Sequence, residues 1–161
     1  MHKLEYFAAT LREPGEKLNN DGLMIKGIRT KKRSDIVVMV LSAHKAGAKL
    51  NDKVIRTAER IVYTSADENI EDRLEKLFYK FGKNGFLFNK RIPDITVLVL
   101  QGINYYIMNR GKNRIMRIGR TDVEEITGMN SANNRAGFSY TAGRLSEGST
   151  LIAGTLLLDI C

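Results

Sequence analysis

The chain has 161 residues, 43% of them hydrophobic and 27% charged, which is the composition of one globular domain with a sizeable core. No apolar run approaches the ~20 residues of a membrane-spanning helix, and Lys3 and Glu5 interrupt the start where a signal peptide would be apolar. The single cysteine, Cys161, excludes an intrachain disulfide and points to a reducing, cytoplasmic setting. A net charge of +8 favours an anionic partner, or else a solubility charge spread over the surface.

Leu4–Thr10 reads as a first strand, and Asn19-Asn20-Asp21-Gly22 as a turn before a second strand over Leu23–Arg29. Ile36–Leu41 is apolar throughout, as in a strand covered on both faces. Two helices follow. Leu50, Val54, Ile55, Ala58, Ile61 and Val62 recur at helical spacing and give the first an apolar stripe. In the second, Ile70, Leu74, Leu77, Phe78 and Phe81 line one face. Ser65-Ala66-Asp67-Glu68 has the form of a capping box at its start, and Gly82 offers a stop.

The rest is organised around Asp94–Ile118, which reads as three neighbouring antiparallel strands. Ile95–Leu100 has no polar break beyond Thr96 and is too short for a buried helix. Asn104–Met108 is rich in Tyr and Ile, and Asn113–Ile118 continues the pattern beyond Asn109-Arg110-Gly111-Lys112, a hairpin-like tetrapeptide. Val123–Ile126 reads as a short strand or turn, Ser131–Ala136 as a loop, and Phe138-Ser139-Tyr140 and Ser149–Ile160 as the last strands. No repeat or linker divides the chain, so a single domain over residues 1–161 is expected. Two helices set between antiparallel strands predict an α+β fold with two stacked, mainly antiparallel sheets.

Positive charge gathers twice, at Lys26, Arg29, Lys31, Lys32 and Arg33, and again at Arg110, Lys112, Arg114, Arg117 and Arg120. No acid intervenes from Gln101 to Arg120, which makes the second group a candidate anion-binding surface for nucleic acid or another polyanion. Tyr105 and Tyr106 lie nearby, suited either to base stacking or to packing in the sheet. There is no Cys/His cluster for zinc and no Gly-rich phosphate loop. His44 has no partner in sequence and reads as structural or exposed rather than as a general acid. Ser42, Thr96 and Ser149 are nucleophiles only in the sense that any hydroxyl is.

The order of elements, with several pieces of local sequence, resembles the metal-dependent Ser/Thr protein phosphatases of the 2C type. Asn19-Asn20-Asp21 stands where that family has an Asn-Glu-Asp turn, and Ser42-Ala43-His44-Lys45-Ala46 where it has Asp-Gly-His-Gly-Gly. Asp94-Ile95-Thr96 corresponds to its Gly-Thr-Thr strand, and Arg110-Gly111-Lys112-Asn113-Arg114 to its Gly-Asp-Ser-Arg hairpin. Leu145–Asp159 is similar to the strand that leads to its Ser-Asp-Gly motif. A second alignment sets Asp94-Ile95-Thr96-Val97 on the family's final strand and would make Asp94 a metal candidate, although further strands follow here.

The resemblance implies a layered α-β-β-α sandwich with helices outside, matching the front two-thirds of a catalytic domain. It also implies a pair of Mn²⁺ or Mg²⁺ ions between the sheets. Such hard ions need several carboxylate oxygens from different strands. Ser42 replaces the bridging acid and Lys112 the hairpin acid, which leaves Asp21 and Asp159 as the weak metal candidates. The expectation is therefore a degenerate domain with no resident cofactor and no catalytic residue, acting through a protein partner. Mn²⁺ or Mg²⁺ would bind only if a divergent site were rebuilt from other acids.

Overall fold

The computed structural model describes residues 36–43, 48–64, 69–83, 94–111, 113–127 and 138–154. In chain order these form β1 (Ile36–Ala43), α1 (Ala48–Thr64), α2 (Ile70–Lys83), β2 (Asp94–Gln101) and β3 (Asn104–Arg110). Then come β4 (Arg114–Ile118), β5 (Val123–Glu125), β6 (Ser139–Arg144) and β7 (Thr150–Gly154). The strands make two sheets, one in the order β1-β2-β3-β6 and one in the order β5-β4-β7, with every pairing antiparallel. The expected strands over Leu4–Thr10 and Leu23–Arg29, the loop over Ser131–Ala136 and the end of the last strand lie outside the described residues.

Alternation along each strand sends successive side chains to opposite faces, and the first sheet is apolar on both. Ile36, Val38 and Val40 of β1, Ile95, Val97 and Val99 of β2, and Met108 of β3 pack with both helices in one buried cluster. Leu98, Leu100, Tyr105 and Ile107 point the other way and meet Ile115 and Ile126, with Leu151 and Ala153 of β7 alongside. The layers therefore run helices, four-stranded sheet, three-stranded sheet: an α+β sandwich with its helices outside, as expected. The outer face of the second sheet exposes Val123 and Ile152.

The helices form as their stripes predict. Val54, Ile55, Ala58 and Val62 of α1 are buried with Leu74, Leu77, Phe78 and Phe81 of α2. Phe78 meets Phe138 edge-on, with ring centroids 4.3 Å apart, a geometry that adds attraction beyond buried area. The start of α2 is corrected. Its cap is Asn69, whose Oδ1 accepts the Asp72 N–H at 2.8 Å, rather than Ser65 of the expected capping box, which lies outside the described residues. Glu71 and Asp72 then occupy the first turn, where the helix dipole favours acids.

A second correction concerns Asp94–Ile118. β2 and β3 form the expected hairpin, with Gln101 opposite Asn104. The tetrapeptide at Asn109–Lys112 does not make another. β4 pairs with β5 and β7 instead, so the chain leaves one sheet and enters the other between Arg110 and Arg114. Gly111 has φ of 97°, a left-handed conformation that costs glycine little and lets the chain turn out of the first sheet. Asn113, only 1% exposed, follows as the buried hinge.

Candidate functional site

The resemblance locates chemistry at the end of the sandwich where β1 finishes, β2 begins and β3 finishes. Register brings those segments together: Ser42 pairs with Ile95, Ala43 with Asp94, and Ile95 with Arg110. Between the sheets at this end stand Thr96, Asn109 and Asn113, all buried. The Thr96 hydroxyl donates to Asn109 Oδ1 at 2.5 Å and accepts from Asn113 Nδ2 at 3.1 Å. Ser139 Oγ donates to the Asn109 carbonyl at 3.3 Å. One hydroxyl thus ties β2, β3 and the hinge into a neutral, buried network, the environment in which hydrogen bonds are costly to lose.

Among the described side chains of this network there is no carboxylate to hold a hard divalent ion. The described side chains between the sheets at this end are amides and hydroxyls, whereas Mg²⁺ and Mn²⁺ seek carboxylates. Among the described residues, no group of three His, Cys, Asp or Glu side chains is placed to hold a metal. Asp21, Asp159, His44 and Lys112 lie outside the described residues, as do the side chains of Ser42 and Asp94.

Of the five cations proposed for anion binding, the described ones, Arg110, Arg114, Arg117 and Arg120, do not share one face. Arg110 lies on the helix side of the first sheet, its guanidinium 5.8 Å from the centroid of the Phe138 ring, close enough for cation–π attraction. Arg114 is bonded to Glu125 Oε2 at 3.1 Å. Arg117 faces between the sheets and holds Glu124 Oε2 at 2.7 Å while also pairing with Asp122. Its hydrogen bond to Glu124 is the chief reason its pKa is raised. Arg120 is exposed in the turn between β4 and β5.

The acids that pair with Arg114 and Arg117 begin just after the acid-free stretch, and the β4–β5 register folds them back onto it. Tyr105 packs against the same corner. Burial raises its pKa, Glu124 raises it further, and Arg117 opposes both. Opposite Tyr105 on β6 is Gly143, where a Cβ would lie 2.4 Å from the Tyr105 hydroxyl oxygen, so only glycine fits.

Sequence reasoning missed the Thr96–Asn109–Asn113 network because none of its members titrates. A signal was present nonetheless, since Asp94-Ile95-Thr96 and Arg110–Arg114 are two of the stretches on which the resemblance rests.

No family model matches the sequence, and no curated protein matches it. Solved structures do. The phosphatase domain of the cell fate determinant SpoIIE from Bacillus subtilis superposes with a TM-score of 0.54 at 14% identity, over 80% of this chain and 56% of that domain. RsbX, solved in complex with magnesium, superposes with a TM-score of 0.52 at 15% identity, over 89% of this chain and 69% of RsbX. This chain thus spans little more than half of the SpoIIE domain. By its fold, the chain is a phosphatase-2C-like α+β sandwich domain.

Proposed function

We propose that this chain is a pseudophosphatase: a non-catalytic domain of phosphatase-2C-like fold that works in the cytoplasm by binding a protein partner. The observation that carries this reading is the Thr96–Asn109–Asn113 network, which fills the inter-sheet end near Ser42 and Asp94 with neutral, mutually bonded groups. Metal-activated water needs the field of bound cations, and bound cations need acids. The ion pairs of Arg114 and Arg117 favour a protein partner over a polyanion at the hairpin, because two of its cations already hold carboxylates. A single cysteine, Cys161, accords with a reducing compartment. No helix among the described residues is long and apolar enough to cross a membrane.

Two measurements test the reading. Purified chain with Mn²⁺ or Mg²⁺ is expected to hydrolyse neither p-nitrophenyl phosphate nor a phosphopeptide above background. Metal-dependent turnover abolished by Asp21→Ala would make it a divergent enzyme instead. Tagged chain recovered gently from its own cells is expected to elute with a stoichiometric protein. Elution as an isolated 18.1 kDa chain would remove the partner-binding half.

A further inference from the structure

The second sheet has one covered face and one open one. Ile115, Leu151 and Ala153 pack inward against the first sheet, so their neighbours along β4 and β7 point outward. Register then sets two rows on the outer face: Val123, Ile118 and Thr150 in one, Glu125, Met116 and Ile152 in the other. The apolar members form a diagonal band, from Val123 on β5 through Ile118 and Met116 of β4 to Ile152 on β7. Val123 is 62% and Ile152 41% exposed, and the two residues between them are half-buried. Single exposed aliphatics are ordinary, whereas a contiguous band marks a contact surface.

Size narrows what can cover it. Three strands of three to five residues offer a footprint of about 14 Å by 17 Å, or about 250 Å². Each partner of a stable dimer buries about 800 Å², so a second copy stacked face to face finds too little surface here. From Val123 to Ile152 the band crosses two strand spacings and two residues, about 12 Å. A helix presents side chains at i, i+3 or i+4, and i+7 over about 10–11 Å, which matches that span.

Charge narrows it further. The charged side chains that the three strands send to this face, Arg114 and Glu125, are bonded to each other at 3.1 Å. A polyanion therefore meets a cation already paired. The first sheet shows what such a face accepts, because Val38, Val97 and Val99 lie under the apolar stripes of α1 and α2. Both described helices are committed to that sheet.

We infer that the outer face of the β5-β4-β7 sheet docks one short amphipathic helix of a protein partner, seated along the band from Val123 to Ile152. The helix brings an aliphatic stripe to the band and polar flanks to the Arg114–Glu125 rim. An interface of this size is of the transient class. The inference rests on the partner-binding reading and gives that partner a surface and a chemistry.

The test selects binders to the full chain from a displayed library of about 14-residue helical peptides, rich in Ala, Glu and Lys, with positions i, i+3, i+4 and i+7 randomised. Apolar residues are expected to be enriched at those positions. A selected peptide, labelled with fluorescein, is expected to bind about tenfold or more weakly to Val123→Lys/Ile152→Lys, and about fivefold more weakly to Val123→Thr/Ile152→Thr. The threonine variant keeps β-branched residues in both strands, and its thermal unfolding is the folding control. Proline at the centre of the peptide is expected to abolish binding, because it breaks the helix.

Failure to enrich any binder overturns the inference, as does binding that survives both double variants or the central proline. A concentration-dependent dimer of the free chain that the double variants dissociate would assign the face to a second copy instead. An oligonucleotide whose binding both variants abolish would assign it to nucleic acid. The cellular partner separates this idea from the reading beneath it. If the double variants retain that partner in full, the face is wrong and partner binding stands. If wild-type chain elutes alone, partner binding itself fails.

Discussion

The space between the two sheets has unlike ends. At one, Thr96, Asn109 and Asn113 are uncharged and bonded to one another. At the other, four residues along β2 and β3, Tyr105 lies by Arg117, which holds Glu124 and Asp122. Leu98, Ile107, Ile115 and Ile126 form the apolar middle that separates them. The resemblance to phosphatases leads one to look for acids at the first end; at the second, Asp122 and Glu124 serve an ion-pair staple on Arg117. The sheets are closed by neutral hydrogen bonds where they are most buried and by charge where solvent reaches them. That division follows desolvation cost, since a buried charge needs pairing that an amide does not.

The middle can be emptied first. Leu98→Ala is expected to cost about 2–5 kcal/mol in denaturant melts, the usual range for a buried leucine. A loss below about half a kcal/mol would mean that the ends do not depend on a shared core. Thr96→Val removes the hydroxyl that serves both asparagines, and about 1–3 kcal/mol should be lost. Thr141, opposite Ile107 and 4% exposed, has a hydroxyl with no hydrogen-bond partner among the described residues. Thr141→Val should therefore raise stability, by about 1 kcal/mol; a decrease would reveal a polar contact there.

Glu124→Gln probes the charged end. Its effect should be smaller than that of Thr96→Val and should shrink further as salt is added, because partly exposed pairs are screened. An effect equal to that of Thr96→Val at high salt would erase the contrast between the ends. Alkaline pH offers the finest distinction. Burial raises the pKa of Tyr105, so the folded state keeps a proton that the unfolded state gives up near pH 10. Stability is then full below about pH 10 and falls as pH rises above it. Tyr63 and Tyr140, both pushed up to about 12, add loss of the same sign between those values. Tyr105→Phe should make the alkaline decline shallower, whereas Thr96, Asn109 and Asn113 have no group that titrates in that range.

What could be read from the sequence follows from how local each cause is. The burial of Ile95–Leu100 and the stripes of both helices depend on spacing along one element, and they were legible. The passage of the chain from one sheet to the other at Gly111 was not, because a Gly- and Asn-rich tetrapeptide suits a hairpin equally well. The choice falls to Asn113 meeting Thr96, a contact between elements. Asn69 displaced Ser65 as the cap because several polar residues in a row can each serve, and burial of Ile70 and Leu74 sets the phase. The cationic stretch looked acid-free because Glu124 and Glu125 reach it only through the β4–β5 register. At the candidate site, the missing acids at Ser42 and Lys112 were visible, but the network of neutral groups was not.

Tyr105 over Gly143 also has a consequence for how this sequence can change. The two lie directly across β3 and β6, and an added methyl would sit 2.6 Å from the phenol Cζ as well as 2.4 Å from its oxygen. Removing the hydroxyl alone therefore does not make room. The pair forms a one-way gate in mutational space: position 143 can grow only after position 105 has given up its ring. Gly143→Ala alone should be damaging, and Gly143→Ala in a Tyr105→Leu background much less so, a dependence on order that neither position would disclose when varied by itself.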